Sequence, residues 1–242
     1  MSKGIALSVL ASVLFAVMYF YTSLLAPLTG VEIFGWRMLL TLPCMTLFML
    51  LAGEWHRVDE VLRRVRSKPM LGPALLLSSA LVGVQLWLFM WAPLNGHSLD
   101  VSQGYFLLPL TMVLTGRIVY GERLSRLQKL AAVLACIGVL NELYQVGSFS
   151  WATLVVALGY PLYFVLRKRL GTDHLGGLWV DMALLMPVAL WVVQSGEQGI
   201  AVVAAQPWLY LLIPVLGVIS ASALVCYIIA SRLLAFSLFG LL

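Results

Sequence analysis

The chain is a succession of long apolar stretches broken by short polar segments. None alternates with period two, and each is far longer than a strand needs. Eight stretches of about 18–24 residues predict transmembrane helices, at roughly 4–24, 32–53, 70–92, 100–120, 126–145, 149–167, 176–195 and 206–230. At 1.5 Å per residue each is long enough for a hydrocarbon core of about 30 Å. A ninth stretch begins near Ala235. The first stretch has only Lys3 ahead of it and further spans behind it. It reads as a first transmembrane helix and not as a cleaved signal peptide. The expected fold class is all-α integral membrane, a polytopic helix bundle with about eight complete transmembrane helices.

The polar segments sort by charge. Of fifteen Lys and Arg residues, fourteen fall in segments on one side of the expected membrane. They are Lys3, the run Arg57, Arg63, Arg64, Arg66 and Lys68, then Arg117, Arg123, Arg126 and Lys129, then Arg167, Lys168 and Arg169, and finally Arg232. The opposite segments carry only the acids Glu32, Asp100, Glu142 and Glu197 near span ends. The positive-inside rule then puts the N-terminus in the cytoplasm of a multi-pass protein. Val58, Val61, Leu62 and Val65 recur at helical spacing among the basic residues, so 57–67 reads either as a short surface helix on anionic headgroups or as an ordinary basic loop. Ser125 and Gln128 form a capping box ahead of the fifth span, and Gly121 is placed to end the fourth.

Composition agrees. The chain is 62% hydrophobic and 10% charged, with a mean hydropathy of +1.00; a soluble domain carries about 25% charged residues. The net charge of +5 does not point to nucleic acid, because the basic residues are spent on orientation. Cys44, Cys136 and Cys226 lie in apolar stretches without ligand spacing, so neither a disulfide nor a metal site is expected. No nucleophile elbow, zinc-protease motif, phosphate loop or dinucleotide fingerprint occurs, and no cofactor is expected.

Sliding the chain against itself by 144 residues lays Tyr19-Phe20 on Tyr163-Phe164, Pro43 on Pro187 and Arg37 on Asp181. At an offset of 134, Gly83-Val84 meets Gly217-Val218. A first unit of five spans reverses the orientation of the second. The expectation is a five-plus-five inverted repeat, 1–147 and 148–242, the second unit incomplete and the chain a C-terminally truncated form of a ten-span protein.

The polar residues inside spans are the candidate site. Arg37 is the one basic residue outside the charge sorting. A cation there costs about 3 kcal/mol or more, so it is read as a contact for an anionic substrate or as half of a gate pair. Snorkelling or a buried structural pair are the alternatives. Asp181 is an acid well inside the seventh span, read as a proton-coupling carboxylate or inner gate, or else as an interface acid. Pro109 frees the carbonyl of Tyr105, which makes Gln103 and Tyr105 candidate lining groups. Trp87, Trp91 and Asn95 are spaced four apart; Trp87 could face a cavity, whereas Trp91 suits an interfacial belt. Trp36 stands beside Arg37 near the outer mouth. Tyr19 and Tyr163 are repeat-related. Ala131, Ala135 and Gly138 form a small-residue face suited to packing within the bundle, with a homodimer less favoured.

Several of these residues carry a resemblance. Glu32 with Arg37 ahead of Leu42-Pro43, Gly104-Tyr105-Phe106 with Pro109-Leu110, and Gly121-Glu122-Arg123-Leu124 leading to Gln128 are similar to the EamA-type permeases of the drug/metabolite transporter superfamily, within it the RarD-like, chloramphenicol-sensitivity group. Phe236-Ser237-Leu238-Phe239-Gly240 resembles the start of that family's ninth span. The resemblance implies a ten-helix secondary exporter of small metabolites or drugs in the bacterial inner membrane, not an enzyme, working by alternating access. Its partners would be a small-molecule substrate and the lipid bilayer, with a monomer favoured. A membrane-embedded lipid-processing enzyme and a non-transporting subunit are the alternatives. The first would need clustered acids or histidines at the interface, and the second would make Arg37 and Asp181 packing elements.

Overall fold

The computed structural model describes residues 2–146, 150–196 and 199–241. The described residues fold into helices α1 (Ser2–Tyr21), α2 (Gly30–Leu51), α3 (His56–Ser67), α4 (Leu71–Trp91), α5 (Ser98–Tyr120), α6 (Arg126–Val146), α7 (Trp151–Leu170), α8 (Leu175–Ser195), α9 (Gly199–Ala205), α10 (Leu209–Leu233) and α11 (Phe236–Gly240). The all-helical bundle is that of an integral membrane protein. Five segments, Ser2–Leu25, Gly30–Leu51, Leu71–Leu94, Leu175–Ser195 and Leu209–Leu233, are long and apolar enough to cross a membrane. The helices α5, α6 and α7 match them in length. They are less apolar because α5 carries Asp100, Gln103 and Arg117, α6 opens on Arg126 and Lys129, and α7 ends on Arg167, Lys168 and Arg169. The expected boundary at 147–148 and Glu197 lie outside the described residues, as does the side chain of Glu142.

Local chemistry sets the helix ends. Thr29 caps α2 in a reciprocal box with Glu32: the Glu32 N–H donates to Thr29 Oγ1 at 3.3 Å and the Thr29 N–H to Glu32 Oε2 at 2.8 Å. Glu32 is thereby buried at the start of α2 and not offered to an open mouth. Ser125 and Gln128 form the expected box before α6, at 2.8 and 3.2 Å. Gly121 stops α5 at φ +65°, where a side chain would be strained. The segment anticipated on the membrane surface is α3, but Val58 and Val61 are buried and α3 packs on α8. The protein takes its apolar face and leaves the basic residues outward.

Helix pairs recur in exchanged form. Helix α1 packs on α10 and α7 on α4; α2 packs on α10 and α8 on α4; α2 and α8 pack on each other. Two glycines allow the second set. A Cβ on Gly83 of α4 would meet Leu185 of α8 at 2.7 Å, and one on Gly217 of α10 would meet Leu40 of α2 at 2.5 Å. Polar ties cross the same interfaces: Tyr21 OH donates to the Leu212 carbonyl at 3.0 Å, Gln85 Nε2 to Val155 at 2.8 Å, and Trp179 Nε1 to Thr46 Oγ1 at 2.8 Å.

A proline inside α7 exposes one carbonyl that the bundle uses. Pro161 has no N–H for the Ala157 carbonyl. Thr111 Oγ1 of α5 lies 2.7 Å from that oxygen and donates to it. This bond ties α5 to α7 where both helices carry a proline. Helix α6 packs against α5, with Leu127, Leu130, Leu134 and Ile137 exposed. Its small residues Ala135 and Gly138 border a cleft of about 380 Å³ with Gln103, Tyr105 and Pro109, and Gly138 is exposed, so the small-residue face expected to pack closely within the bundle does not do so at this point.

The basic residues gather at one end of the bundle. Arg64 of α3 donates to the carbonyls of Gly171 at 3.0 Å and Leu170 at 2.6 Å. Lys168 stands 4.0 Å over the Tyr120 ring. Glu122, just past α5, accepts the N–H groups of Phe236 and Ser237 at 2.8 Å each and the Ser237 hydroxyl at 2.6 Å. It thus caps α11. Burial pushes its carboxyl up, but these hydrogen bonds and nearby Lys168 outweigh burial and hold it below the ordinary carboxylate range.

Candidate functional site

Two arginines are fully buried within the bundle, and they are satisfied very differently. Arg37 of α2 is 0% exposed. Its Nε donates to Ser220 Oγ of α10 at 2.8 Å, while Nη1 and Nη2 have no hydrogen-bond partner. The guanidinium stands 5.8 Å from the centre of the Phe89 ring, a cation–π arrangement. The Tyr160 and Tyr105 hydroxyls lie within its electrostatic reach. Two forked donors facing no acceptor suit an oxyanion, the group that guanidinium binds in bidentate fashion.

Phe89 is also a wall of a cavity of about 490 Å³ between α1, α4, α5, α7, α10 and α11. Aromatic side chains dominate its lining, among them Phe15, Tyr19, Tyr105, Tyr160, Tyr227 and Phe239. Ser102 and Pro109 of α5 also line it. The rings brace each other edge-on: Tyr19 and Phe89 at 5.4 Å, Phe15 and Tyr227 at 5.7 Å. Tyr105 and Tyr160 bring their hydroxyls to 3.4 Å. The Tyr19 hydroxyl is buried without a hydrogen-bond partner. Volume and lining match a site for a small organic molecule.

The second buried arginine, Arg167, closes a network at the basic end. Its Nη1 donates to the Tyr163 hydroxyl and approaches Asp181 Oδ2 at 3.4 Å. Its Nε donates to the Thr172 carbonyl at 3.0 Å, and Nη2 to that carbonyl and to the His174 carbonyl, the latter at 2.6 Å. Tyr163 OH in turn donates to Asp181 Oδ2 at 3.1 Å. Ser79 of α4 holds the Asp181 carbonyl at 2.8 Å. The network pins α7, α8, α4 and the turn between α7 and α8 together. His174 sits at that turn, 7% exposed. Burial, then Arg167, Arg57 and Arg232, push its imidazole below the ordinary histidine range.

The structure therefore divides the anticipated residues. Tyr19, Tyr105 and Pro109 line the aromatic cavity, and Arg37 stands behind its Phe89 wall. Tyr163 and Asp181 belong to the second network and not to the cavity. Gln103 is buried against α7, with Thr153 Oγ1 at 3.4 Å from its Oε1. Trp36 is half-buried beside Arg37, its Nε1 without a partner. Trp87 stacks on Trp91 at 5.2 Å, and Trp91 on His97 at 5.1 Å. That column stands apart from the cavity, and His97 is fixed by Asp100 at 2.6 Å. Arg167 was hidden in a basic triplet that reads as loop; its i+4 spacing from Tyr163 is the signal that puts both on one helix face.

The fold is an all-helical membrane bundle enclosing an aromatic cavity, and the sequence comparisons give its class. Residues 2–141 match the EamA-like transporter family. An uncharacterized transporter of Pasteurella multocida is 44% identical over 242 residues, covering all of this chain and 83% of the relative. The chloramphenicol-sensitive protein RarD of Pseudomonas aeruginosa is 42% identical over 244 residues, covering 99% of this chain and 80% of that protein. Protein RarD of Salmonella typhi is 30% identical over 240 residues, with 98% and 80% covered. No solved structure matches the chain significantly. The chain belongs to the EamA-like transporter family. It is a multi-pass membrane protein of the transporter class and not an enzyme.

Proposed function

We propose that the protein is a secondary carrier that moves small metabolites or drugs across the bacterial inner membrane by alternating access. The observation that carries this reading is Arg37: a wholly buried guanidinium with two unpartnered donors behind the wall of a 490 Å³ aromatic cavity. A cation held in that condition for packing alone is costly; an arriving acidic group satisfies it. Arg37, Tyr19, Tyr105 and Pro109 form the substrate side, with Trp36 and Gln103 as its outer support; Trp87, in the separate aromatic column, takes no part. Arg167, Tyr163 and Asp181 form the inner closure, with Asp181 the group that exchanges a proton when the closure opens.

The exchanged helix contacts support a five-plus-five inverted repeat, in which α1, α2 and α4 correspond to α7, α8 and α10. In such repeats the substrate site lies at the repeat interface, which is where α1, α4, α7 and α10 surround the cavity. The charge sorting supports a cytoplasmic N-terminus, and the protein works as a monomer.

The test is flux in proteoliposomes with and without a pH gradient. Radiolabelled chloramphenicol, taken from the name of one relative, and a panel of small aromatic carboxylates serve as probes. Wild type accelerates at least one probe; Arg37→Ala removes the acceleration, and Asp181→Asn removes its dependence on the gradient. Unchanged flux in the combined variant refutes the assignment of the site.

A further inference from the structure

A second groove opens at the basic end, outside the site just described. It holds about 470 Å³ between the end of α2, the start of α3 and the end of α10, with Leu175 at its base. Phe48 and Ile229 lie back from the ends of α2 and α10, Leu233 closes the end of α10 beside them, and Phe48 and Leu233 are 40% and 50% exposed. Arg57 and Arg232 form the part at the helix ends. Glu54 lines the same rim and pairs with Arg57. Two guanidinium groups against one carboxylate leave the rim positive. His174, whose Nδ1 is buried without a hydrogen-bond partner, is the residue before Leu175 and stands in the field of both arginines.

We infer that this groove seats one anionic phospholipid, its phosphate between Arg57 and Arg232 and an acyl chain along Phe48, Ile229 and Leu233. The division of the groove selects this occupant. Charge complementarity at the rim calls for an anion, and an exposed apolar wall beginning one turn deeper calls for a hydrocarbon chain attached to it. A free phosphate would leave that wall uncovered, and a zwitterionic lipid brings an ammonium to a rim that is already positive. The inference rests on the membrane placement of the bundle and not on transport, so the flux experiment above and the experiment below fail independently.

The experiment is native mass spectrometry of the full chain, purified in neutral detergent and titrated with phosphatidylglycerol or phosphatidylethanolamine of identical chains. One phosphatidylglycerol is retained preferentially. Arg232→Gln, an exposed residue that the fold does not need, weakens it about fivefold, and Arg57→Gln does the same. Arg123→Gln, an exposed arginine elsewhere on the basic end, leaves it unchanged. Equal retention of the two lipids overturns the inference, as does an equal loss with Arg123→Gln, which signals diffuse surface charge. Displacement of phosphatidylglycerol by inorganic phosphate at equal concentration also overturns it, because the acyl chain then contributes nothing.

Discussion

Replacing each buried arginine by methionine separates the two in a single experiment. Methionine keeps the approximate length and apolar stem of arginine and removes the charge. In Arg167→Met the loss is large. Asp181, 1% exposed, keeps the Tyr163 hydroxyl on Oδ2 but loses its cation, and the Thr172 carbonyl loses its guanidinium donor, whereas the His174 carbonyl keeps the N–H groups of Gly177 and Leu178. Breaking a buried pair from one side costs about 3–5 kcal/mol. In Arg37→Met the loss is one charge-assisted hydrogen bond to Ser220, about 1.5–3 kcal/mol. Against it stands relief from burying a guanidinium whose two terminal nitrogens are unpaired, worth several kcal/mol. Arg37→Met is therefore neutral or stabilising, yet inactive in flux. The assay is reversible unfolding in mixed micelles followed by tryptophan fluorescence, with flux measured on the same preparations. Adding Asp181→Leu to Arg167→Met restores about 2 kcal/mol or more, because the unpaired carboxylate is gone. Equal destabilisation by Arg37→Met and Arg167→Met would refute the reasoning and make Arg37 a packing element.

Thr111→Val strips the donor from the Ala157 carbonyl that Pro161 leaves free, and is expected to cost about 1–3 kcal/mol with faster amide exchange in α7 near Pro161. Gly217→Val places a side chain where a Cβ already meets Leu40 at 2.5 Å; about 1–3 kcal/mol of overpacking is expected as a lower unfolding midpoint. Because the Glu122 carboxyl is held below its ordinary range, its contribution is present above that range and lost as pH falls through the folded value; acid titration below pH 4.5 should loosen α11 in wild type and not in Glu122→Gln. The lowered imidazole of His174 works in the same direction by the same linkage: the unfolded chain takes up the proton first, so stability falls as pH drops below 6.5, and His174→Asn flattens that part of the profile.

The helix ends were legible because capping is local chemistry: Gly121 and the Ser125–Gln128 pair carry their own geometry. The Thr29–Glu32 box has the same spacing, and there the acid at the span end is the helix's own cap. The burial of Arg37 could be read from its apolar flanks alone. Arg167 could not, because in Arg167-Lys168-Arg169 only helix phase sends one side chain inward and the next onto the Tyr120 ring, and the phase depends on how far α7 runs. Asp181 was found, but its partner was not, since the contact joins two helices across a turn. Trp87 shows the converse limit. Its spacing from Trp91 suited a cavity wall, but in the fold the two rings stack on each other and the aromatic lining comes from Phe89 on the same helix and from scattered residues of five other helices.

The central claim is that the aromatic cavity opens alternately to the two sides of the membrane. The direct measurement is alkylation of Ser102→Cys, a cavity-lining position, after replacing Cys44, Cys136 and Cys226 by alanine. Membrane-impermeant maleimide is applied to oriented vesicles from one face or the other. Labelling from both faces, slowed on each by a transported probe and abolished in neither orientation, is the predicted result. Labelling from one face only, indifferent to every probe that the protein moves, would contradict the account.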